Sequence, residues 1–156
     1  MTTSADTQRA QNRAVVEAFF ASNLDNPEER IALWHPEGVK ELPFAPAGIP
    51  QTRWEGRDQI VANTVNNSGM FENIVHTDLV IHECVDPSLF VVTSRMAPGA
   101  RFLGEPYPQS FVHVLRVQDG AIILQQEYFN AEILAKAEHD ARAQGRTPLS
   151  RGAQGA

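Results

Sequence analysis

A hairpin signal in the second half of the chain constrains the fold more than any other feature. Asp119-Gly120 separates two runs rich in apolar and aromatic residues, 107–118 and 121–133. The Asp-Gly pair favours the tight turn that joins two antiparallel strands. The second run stays apolar on both of its alternating faces, which is typical of a strand covered on both sides. The chain therefore contains an antiparallel sheet with a covered interior.

Glu127 lies near the end of that second run, between Gln126 and Tyr128. A glutamate is almost never fully buried unless it is paired or carries a function. In an apolar pocket the pKa of a carboxyl group rises, which suits a general acid or base near neutral pH. Glu127 is therefore the first catalytic candidate. The alternative is a solvent-facing residue or a structural partner of Arg95 or Arg116.

The remaining pattern predicts helices followed by antiparallel strands. Helices gathered on one face of a curved antiparallel sheet make an α+β domain, and a helical lid on such a sheet encloses a cone-shaped cavity. We expect a flexible N-terminus over 1–6, one domain over 7–143 and a disordered tail over 144–156. The predicted helices span 7–24, 27 to about 34, 57–68 and 131–143, and the other predicted strands span 39–44, 73–85 and 89–96, the last continuing weakly to 102.

Composition narrows the possible function classes. The 156 residues are 42% hydrophobic and 21% charged, which suits one globular domain, and the net charge of −6 argues against a nucleic-acid partner. The single cysteine, Cys84, excludes an intrachain disulfide. No signal-peptide core or membrane-length apolar run occurs, which predicts a cytoplasmic protein without a membrane partner. No phosphate-binding loop, zinc spacing or nucleophile elbow occurs, so we expect no cofactor and no metal.

Arg95 and His113 are further catalytic candidates. If Arg95 points into the cone, it can bind a substrate carboxylate or keep Glu127 ionised; the alternative is an ion pair at the rim. His113 shares its strand face with Phe111, and it can relay protons near pH 7 or simply be a satisfied core residue.

His76, Asp78 and His82 follow one another at even spacing in the strand predicted over 73–85. Even spacing predicts that they share one face of the strand. Ligands in a row along a straight strand lie too far apart to hold one ion, so a polar outer or dimer face is the better interpretation than a metal site.

The order of these elements resembles the nuclear-transport-factor-two-like superfamily of cone-shaped α+β barrels. Segments 41–46 (ELPFAP), 54–57 (WEGR) and 127–130 (EYFN), with the Asp-Gly turn, resemble its SnoaL-like members, and among these the PhzA/PhzB proteins of phenazine biosynthesis. The resemblance covers about residues 8–135. It implies a homodimer formed through the outer face of the sheet, and a sheet that is apolar on both faces needs a second cover.

The catalytic sets of related families are incomplete in this chain. PhzA/PhzB-like proteins pair the glutamate at position 127 with a histidine and a serine on the third helix, where this chain has Asn63 and Asn67. Limonene-epoxide-hydrolase-like members use an arginine and two aspartates. Arg95 matches that arginine, whereas Ala97 and Glu127 stand in place of the aspartates. The resemblance therefore implies a ligand pocket without naming its reaction.

The predicted function is an enzyme of specialised metabolism that moves a proton on a small, partly apolar, cyclic or polyketide-like molecule. Isomerisation, cyclisation, dehydration and condensation all fit this chemistry. Glu127 would be the acid–base, Arg95 would orient the substrate and His113 would supply a hydrogen bond. The alternative is a non-catalytic module that binds a small ligand or another protein, and a limonene-epoxide-hydrolase-like hydrolase is a third option. The residues expected to contact substrate are Asn63, Asn67, Phe44, Trp54, Met96, Tyr107 and Phe129.

Overall fold

The structure is a computed structural model that describes residues 3–22 and 27–147. Four helices and nine strands lie within these ranges, and seven of the strands follow one another after the third helix, in keeping with the predicted α+β class. Helices are α1 Ser4–Ala21, α2 Pro27–Ala32, α3 Arg57–Ser68 and α4 Ala131–Ala143; strands are β1 Trp34–Glu41, β2 Arg53–Glu55, β3 Phe71–Glu72, β4 His76–Glu83, β5 Leu89–Met96, β6 Arg101–Phe102, β7 Glu105–Pro106, β8 Ser110–Gln118 and β9 Ala121–Phe129.

One six-stranded sheet forms the wall of the cone, with the strand order β2-β1-β9-β8-β5-β4. Its neighbours are antiparallel except for β1 and β9, which run parallel. Strands β3, β6 and β7 form a small second sheet that the sequence did not predict. Side chains from α1, α3 and the large sheet share one buried core, which includes Phe19, Ile60 and Leu115. The helices therefore cover one face of the sheet, as an α+β cone requires.

The hairpin between β8 and β9 is confirmed. Asp119 and Gly120 have positive φ angles of 51° and 74°, the conformation that a two-residue turn of this kind requires. Gln118 and Ala121 pair directly across the turn. The register then shifts between Arg116 and Val117, and beyond this irregularity His113 pairs with Glu127.

The chain enters the fold differently from the prediction at two places. Helix α1 begins at Ser4, three residues earlier than predicted, because Thr3 and Asp6 form a capping box. Trp34 starts β1 instead of ending the second helix, since its side chain is buried against Phe19 at 5.8 Å between ring centroids. Residues 1–2 and 148–156, which belong to the predicted flexible N-terminus and the predicted disordered tail, lie outside the described ranges.

An irregularity in β4 separates two histidines that the sequence placed on one face. The pairing of β4 with β5 shifts register between Thr77 and Val80, and Asp78 has a φ of 51°. One extra residue reverses the alternation of side chains along a strand. His76 consequently faces the interior beside Ser94, whereas His82 is exposed on the other face. The prediction of a shared face is wrong for this reason.

Strand β1 also has a register irregularity, and Gly38 allows its backbone to pack closely against neighbouring groups there. A Cβ atom at this position would lie 2.8 Å from the Trp34 ring and 3.2 Å from the carbonyl oxygen of Ile122. The register between β1 and β9 shifts between Trp34 and Val39, so the backbone comes close to both neighbours here. Only glycine fits this approach without displacing the buried tryptophan.

Candidate functional site in the cone

Glu127 and His113 lie side by side on the inner face of the sheet. They are direct partners in the β8–β9 ladder, and directly paired residues of antiparallel strands project from the same face. Along β8 the side chains of Phe111, His113 and Leu115 are buried, whereas Val112 between them is exposed. Glu127 keeps part of its surface accessible. The strand that carries the glutamate therefore brings it to the interior, next to a histidine.

Gln125 connects the two groups. Its Nε2 lies 3.2 Å from Nδ1 of His113 and 3.4 Å from Oε2 of Glu127. The amide nitrogen can only donate, so Nδ1 accepts, and the proton of neutral His113 is on Nε2. This arrangement leaves the Nε2–H group as the free end of the imidazole. The sheet thus fixes the tautomer of His113.

The imidazole of His113 is deeply buried, with 2% of the residue exposed. Burial, helped by the positive charges of Arg30 and Lys40, lowers the pKa of His113 to about 3. The ring stacks on Phe111 and meets the edge of Phe20, with centroid distances of 5.5 and 5.0 Å. Within the described part of the chain, its Nε2 atom is buried without a hydrogen-bond partner. His113 is therefore a neutral donor with an open position.

A second histidine joins the cluster from β4. His76 Nδ1 lies 2.9 Å from the hydroxyl oxygen of Ser94, and the imidazole centroids of His76 and His113 are 5.8 Å apart. Burial lowers the pKa of His76 to about 4, with His113 and Arg30 adding to the shift and Glu127 opposing it. Both histidines are thus neutral at physiological pH.

Arg30 is a site residue that the sequence did not reveal. Its guanidinium carbon lies 4.2 Å above the ring of Phe19. Its Nε atom is buried and has no hydrogen-bond partner among the described residues, although part of the side chain reaches solvent. Burial lowers the pKa of Arg30 to about 10, and the charge of Glu127 opposes this shift. In the sequence Arg30 follows two glutamates on a short helix, a pattern typical of a solvated face.

Lys40 is the second missed residue. It pairs with Gln125 on one side and Trp54 on the other, and its ammonium nitrogen lies 5.7 Å from the Trp54 ring. Both neighbours are buried, so the register places Lys40 on the same face as Glu127. The alternation of residues along β1 does not by itself predict that Lys40 points inward. The register irregularity near Gly38 changes which residues of the strand face the interior.

The expected position of Arg95 is corrected. Phe90, Val92, Ser94 and Met96 are the buried residues of β5, so the alternation of the strand turns Arg95 outward, where it is exposed. It cannot meet Glu127 from there. Arg30 on α2 is instead the arginine whose charge interacts with that of Glu127.

The predicted substrate contacts divide between interior and exterior. Phe44 is 69% exposed and packs on Tyr128 of β9, so its predicted place in the pocket is wrong. Trp54, Met96 and Tyr107 are core residues, and Phe129 packs against the same core as Met96 and Tyr107.

Asn63 and Asn67 lie on α3 and are partly buried. They share the helix face of buried Ile60, since the spacing of three and four residues repeats the helical turn. The side-chain oxygen of Asn63 is buried and has no hydrogen-bond partner among the described residues. Asn63 therefore offers the interior an acceptor that the protein leaves open.

An aromatic side chain of α1 packs against both histidines of the interior. Phe20 from α1 lies 5.0 Å from His113 and 5.4 Å from His76, measured between ring centroids. Two depressions of about 390 Å³ lie elsewhere, one at Pro36 and residues 55–59, the other between α1 and α2. Neither depression includes Glu127.

Residues 3–22 and 27–147 contain neither a metal-binding cluster nor a membrane-spanning helix. No three histidine, cysteine, aspartate or glutamate side chains there are placed to hold a metal ion. No helix there is long and apolar enough to cross a membrane. The cytoplasmic location stays a prediction.

The sequence model of the SnoaL-like domain matches residues 9–125. The chain belongs to the SnoaL-like domain family. An uncharacterized PhzA/B-like protein of Pseudomonas aeruginosa is 36% identical over 109 residues, which cover 69% of this chain and 76% of that protein. These matches confirm the resemblance that the sequence motifs of this SnoaL-like protein indicated.

Solved structures show the same fold. A phenazine biosynthesis-related protein of Pseudomonas aeruginosa matches with a TM-score of 0.72 and 22% identity, covering 85% of this chain and 88% of that one. A candidate isomerase of Bacillus subtilis matches with a TM-score of 0.74 and 22% identity, covering 83% and 94%. An NTF2-like protein of Burkholderia thailandensis matches with a TM-score of 0.64 and 20% identity, covering 81% and 95%. The predicted cone-shaped α+β fold is confirmed.

Proposed function

We propose that this SnoaL-like protein is an enzyme that moves a proton on a small cyclic or polyketide-like molecule, with Glu127 as the general acid–base. The observation that carries the proposal is the bridge from Gln125 to both Glu127 and His113. It holds a partly accessible carboxylate beside a neutral imidazole of fixed tautomer. Such a pair can remove a proton at one atom while the imidazole N–H stabilises an adjacent oxygen.

The neighbouring proteins support this reaction class. Similar solved structures include a candidate polyketide cyclase of Xanthomonas campestris, with a TM-score of 0.68 and 15% identity. Cyclisation and isomerisation of polyketide-like molecules proceed through proton removal next to a carbonyl group. A single positioned carboxylate can perform that step, and specialised metabolism is the setting in which such molecules are made.

The test is proton exchange on simple cyclic ketones. We would incubate the protein with 2-tetralone and 2-indanone in D₂O and follow deuterium incorporation by mass spectrometry. The wild type should accelerate exchange over buffer, and Glu127→Gln should lower the acceleration by about a hundredfold. Glu72→Gln, at an exposed position of β3, is the matched control and should behave as the wild type. Exchange that Glu127→Gln leaves unchanged would refute Glu127 as the acid–base.

A second candidate is a non-catalytic module that binds a small ligand or another protein. Phe20 lies 5.0 Å from His113 between ring centroids, and neither of the two depressions described above includes Glu127. The same experiment separates the two, because a binder would not accelerate exchange. The epoxide-hydrolase alternative loses support, since Arg95 points away from Glu127.

We further propose that the chain forms a homodimer through the outer face of the sheet. Register places Val80, Thr93, Val112 and Tyr128 in one row across that face. Val80 is 48% and Val112 40% exposed, and Phe44 extends the row by packing on Tyr128. A second copy would supply the cover that this apolar row lacks in the single chain.

A further inference from the structure

We propose that Lys40 is an amine nucleophile, which forms an imine with the carbonyl carbon of a ketone or aldehyde substrate. The inference rests on the proposed function, and it names both the substrate class and the residue that bonds to it. Three observations support it: the choice of a lysine at this position, its place in the sheet beside the catalytic candidates, and an ammonium group without an ion-pair partner.

Lysine is a rare choice in this chain. Two of the 13 basic residues are lysines, Lys40 and Lys136, and all the others are arginines. The two residue types differ in chemistry, because an amine can lose its proton and attack a carbonyl carbon, whereas a guanidinium stays charged. Arginine would supply the same positive charge at position 40. Charge alone therefore does not account for the one lysine on the inner face of the sheet.

Strand pairing places Lys40 next to the bridge that joins Glu127 and His113. Lys40 pairs directly with Gln125, whose amide contacts both of these residues. Glu127 lies two positions further along β9, and residues two apart project from the same face of a strand. Burial is the main cause of the lowered pKa of His113, and the charge of Lys40 adds to the shift. An amine, a carboxylate and an imidazole thus share one part of the inner face.

The ammonium group of Lys40 is not engaged by the protein. Among the described residues it has neither an ion pair nor a hydrogen bond, and its nitrogen lies 5.7 Å from the Trp54 ring. The side chain is only partly buried. Lys136, by contrast, is exposed on α4 and pairs with Asp140. Because no carboxylate holds the nitrogen of Lys40, it is open to a carbonyl carbon.

The groups on this face suffice for imine formation. Glu127 removes a proton from the ammonium, and the free amine attacks the carbonyl carbon to form a carbinolamine, whose oxygen accepts the Nε2–H group of His113. One nitrogen proton passes to this oxygen, Glu127 returns the other, and the oxygen leaves as water. The positive iminium withdraws electrons from the adjacent carbon, so Glu127 can then remove a proton there. Water hydrolyses the product imine and regenerates Lys40.

Reductive trapping of the wild type tests the inference. The protein is incubated with 2-indanone and sodium cyanoborohydride, which reduces an iminium to a stable secondary amine, and peptide mass spectrometry locates the adduct. The adduct should form at Lys40 about a hundredfold faster than at Lys136, the scale that assisted proton transfer contributes. Lys136 is the matched control within the same molecule, since it is the other lysine of the chain. Equal rates at the two lysines, or no adduct at Lys40, would overturn the inference.

A variant links the imine to turnover. Lys40→Arg keeps the positive charge but cannot form an imine. It should lower deuterium exchange on 2-indanone by about a hundredfold, whereas Lys136→Arg should keep the wild-type rate. Exchange that Lys40→Arg leaves unchanged would overturn the inference. The trapping result depends on the wild type alone, so it decides the question even if Lys40→Arg does not fold.

The two proposals fail separately. Exchange that depends on Glu127 but not on Lys40, without an adduct at Lys40, would refute the imine and keep Glu127 as the acid–base. Selective trapping at Lys40 in a protein that does not accelerate exchange would keep the imine and refute the proposed proton transfer.

Discussion

Glu127 and His113 are direct cross-strand partners whose side chains are joined through the amide of Gln125. A carboxylate can only accept, so it orients the amide nitrogen toward both groups and thereby decides which imidazole nitrogen keeps the proton. The reactivity of the pair therefore depends on a third residue that performs no chemistry. This relationship gives the first prediction.

Gln125→Leu should release the tautomer of His113. In the wild type, ¹⁵N spectra should show a single neutral tautomer with the proton on Nε2, and the variant should show both. Losing these hydrogen bonds should also cost about 1–2 kcal/mol of unfolding free energy. Gln126→Leu, one residue along and bonded to Glu41 on the other face, is the control and should keep the wild-type spectrum. Identical spectra for all three proteins would show that the bridge does not set the tautomer.

The buried histidines should make the protein less stable in mild acid. The pKa values of His113 and His76 fall to about 3 and 4 in the folded chain, so the unfolded chain binds more protons below pH 6.5. Stability is therefore complete above pH 6.5 and is lost as the pH falls toward these values, by at most about 1.4 kcal/mol per pH unit for each histidine.

Urea unfolding of the wild type and His113→Asn at pH 6.5, 5.5 and 4.5 measures this effect. The variant should lose less stability over this range, whatever its stability at pH 6.5. His82→Asn alters an exposed histidine of the same strand as His76 and should keep the wild-type slope. A slope that His113→Asn does not reduce would mean that His113 is charged in the folded protein.

Helix α2 should open more readily than α3. It buries none of its residues, whereas α3 buries Ile60 in the main core. Hydrogen exchange followed by mass spectrometry should show faster exchange for peptides over 28–32 than for peptides over 60–67. Equal protection of the two helices would contradict the expectation that α2, which buries none of its residues, opens more readily.

Val112→Lys should dissociate the proposed homodimer. It places a charge in the centre of the apolar row on the outer face, where a second copy would have to bury it. Light scattering at micromolar concentration should give a dimer for the wild type and a monomer for the variant. Val65→Lys is the control, because Val65 is 52% exposed on α3, away from the sheet. A wild type that is already monomeric would refute the dimer.

Gly38→Ala should destabilise the fold through Trp34. The added methyl group would meet the indole ring at 2.8 Å, and the strand cannot retreat because the carbonyl oxygen of Ile122 lies on the same side. Overpacking of this kind typically costs about 1–3 kcal/mol. Chemical denaturation should report it, and an unchanged midpoint would show that β1 can shift freely.

The sequence by itself determined the features that local chemistry decides. The Asp119-Gly120 turn, the limits of α3 and α4 and the span of β5 follow from turn residues, caps and periodicity within a few neighbours. Glu127 and His113 could both be chosen as candidates from their strands, whereas their pairing depends on the shift of register between Arg116 and Val117 as well as on the turn.

Tertiary structure decided which charged groups meet these two residues. Arg95 points to the outer face of the sheet and Lys40 to the inner face, because strand pairing and register irregularities decide on which face each side chain lies. Pairing and register depend in turn on partner strands far along the chain. Arg30 is interior because α2 packs over Phe19, a contact that helix propensity cannot predict. Glu127 could therefore be chosen as a candidate from one strand, whereas the interior position of Arg30 emerged only from packing.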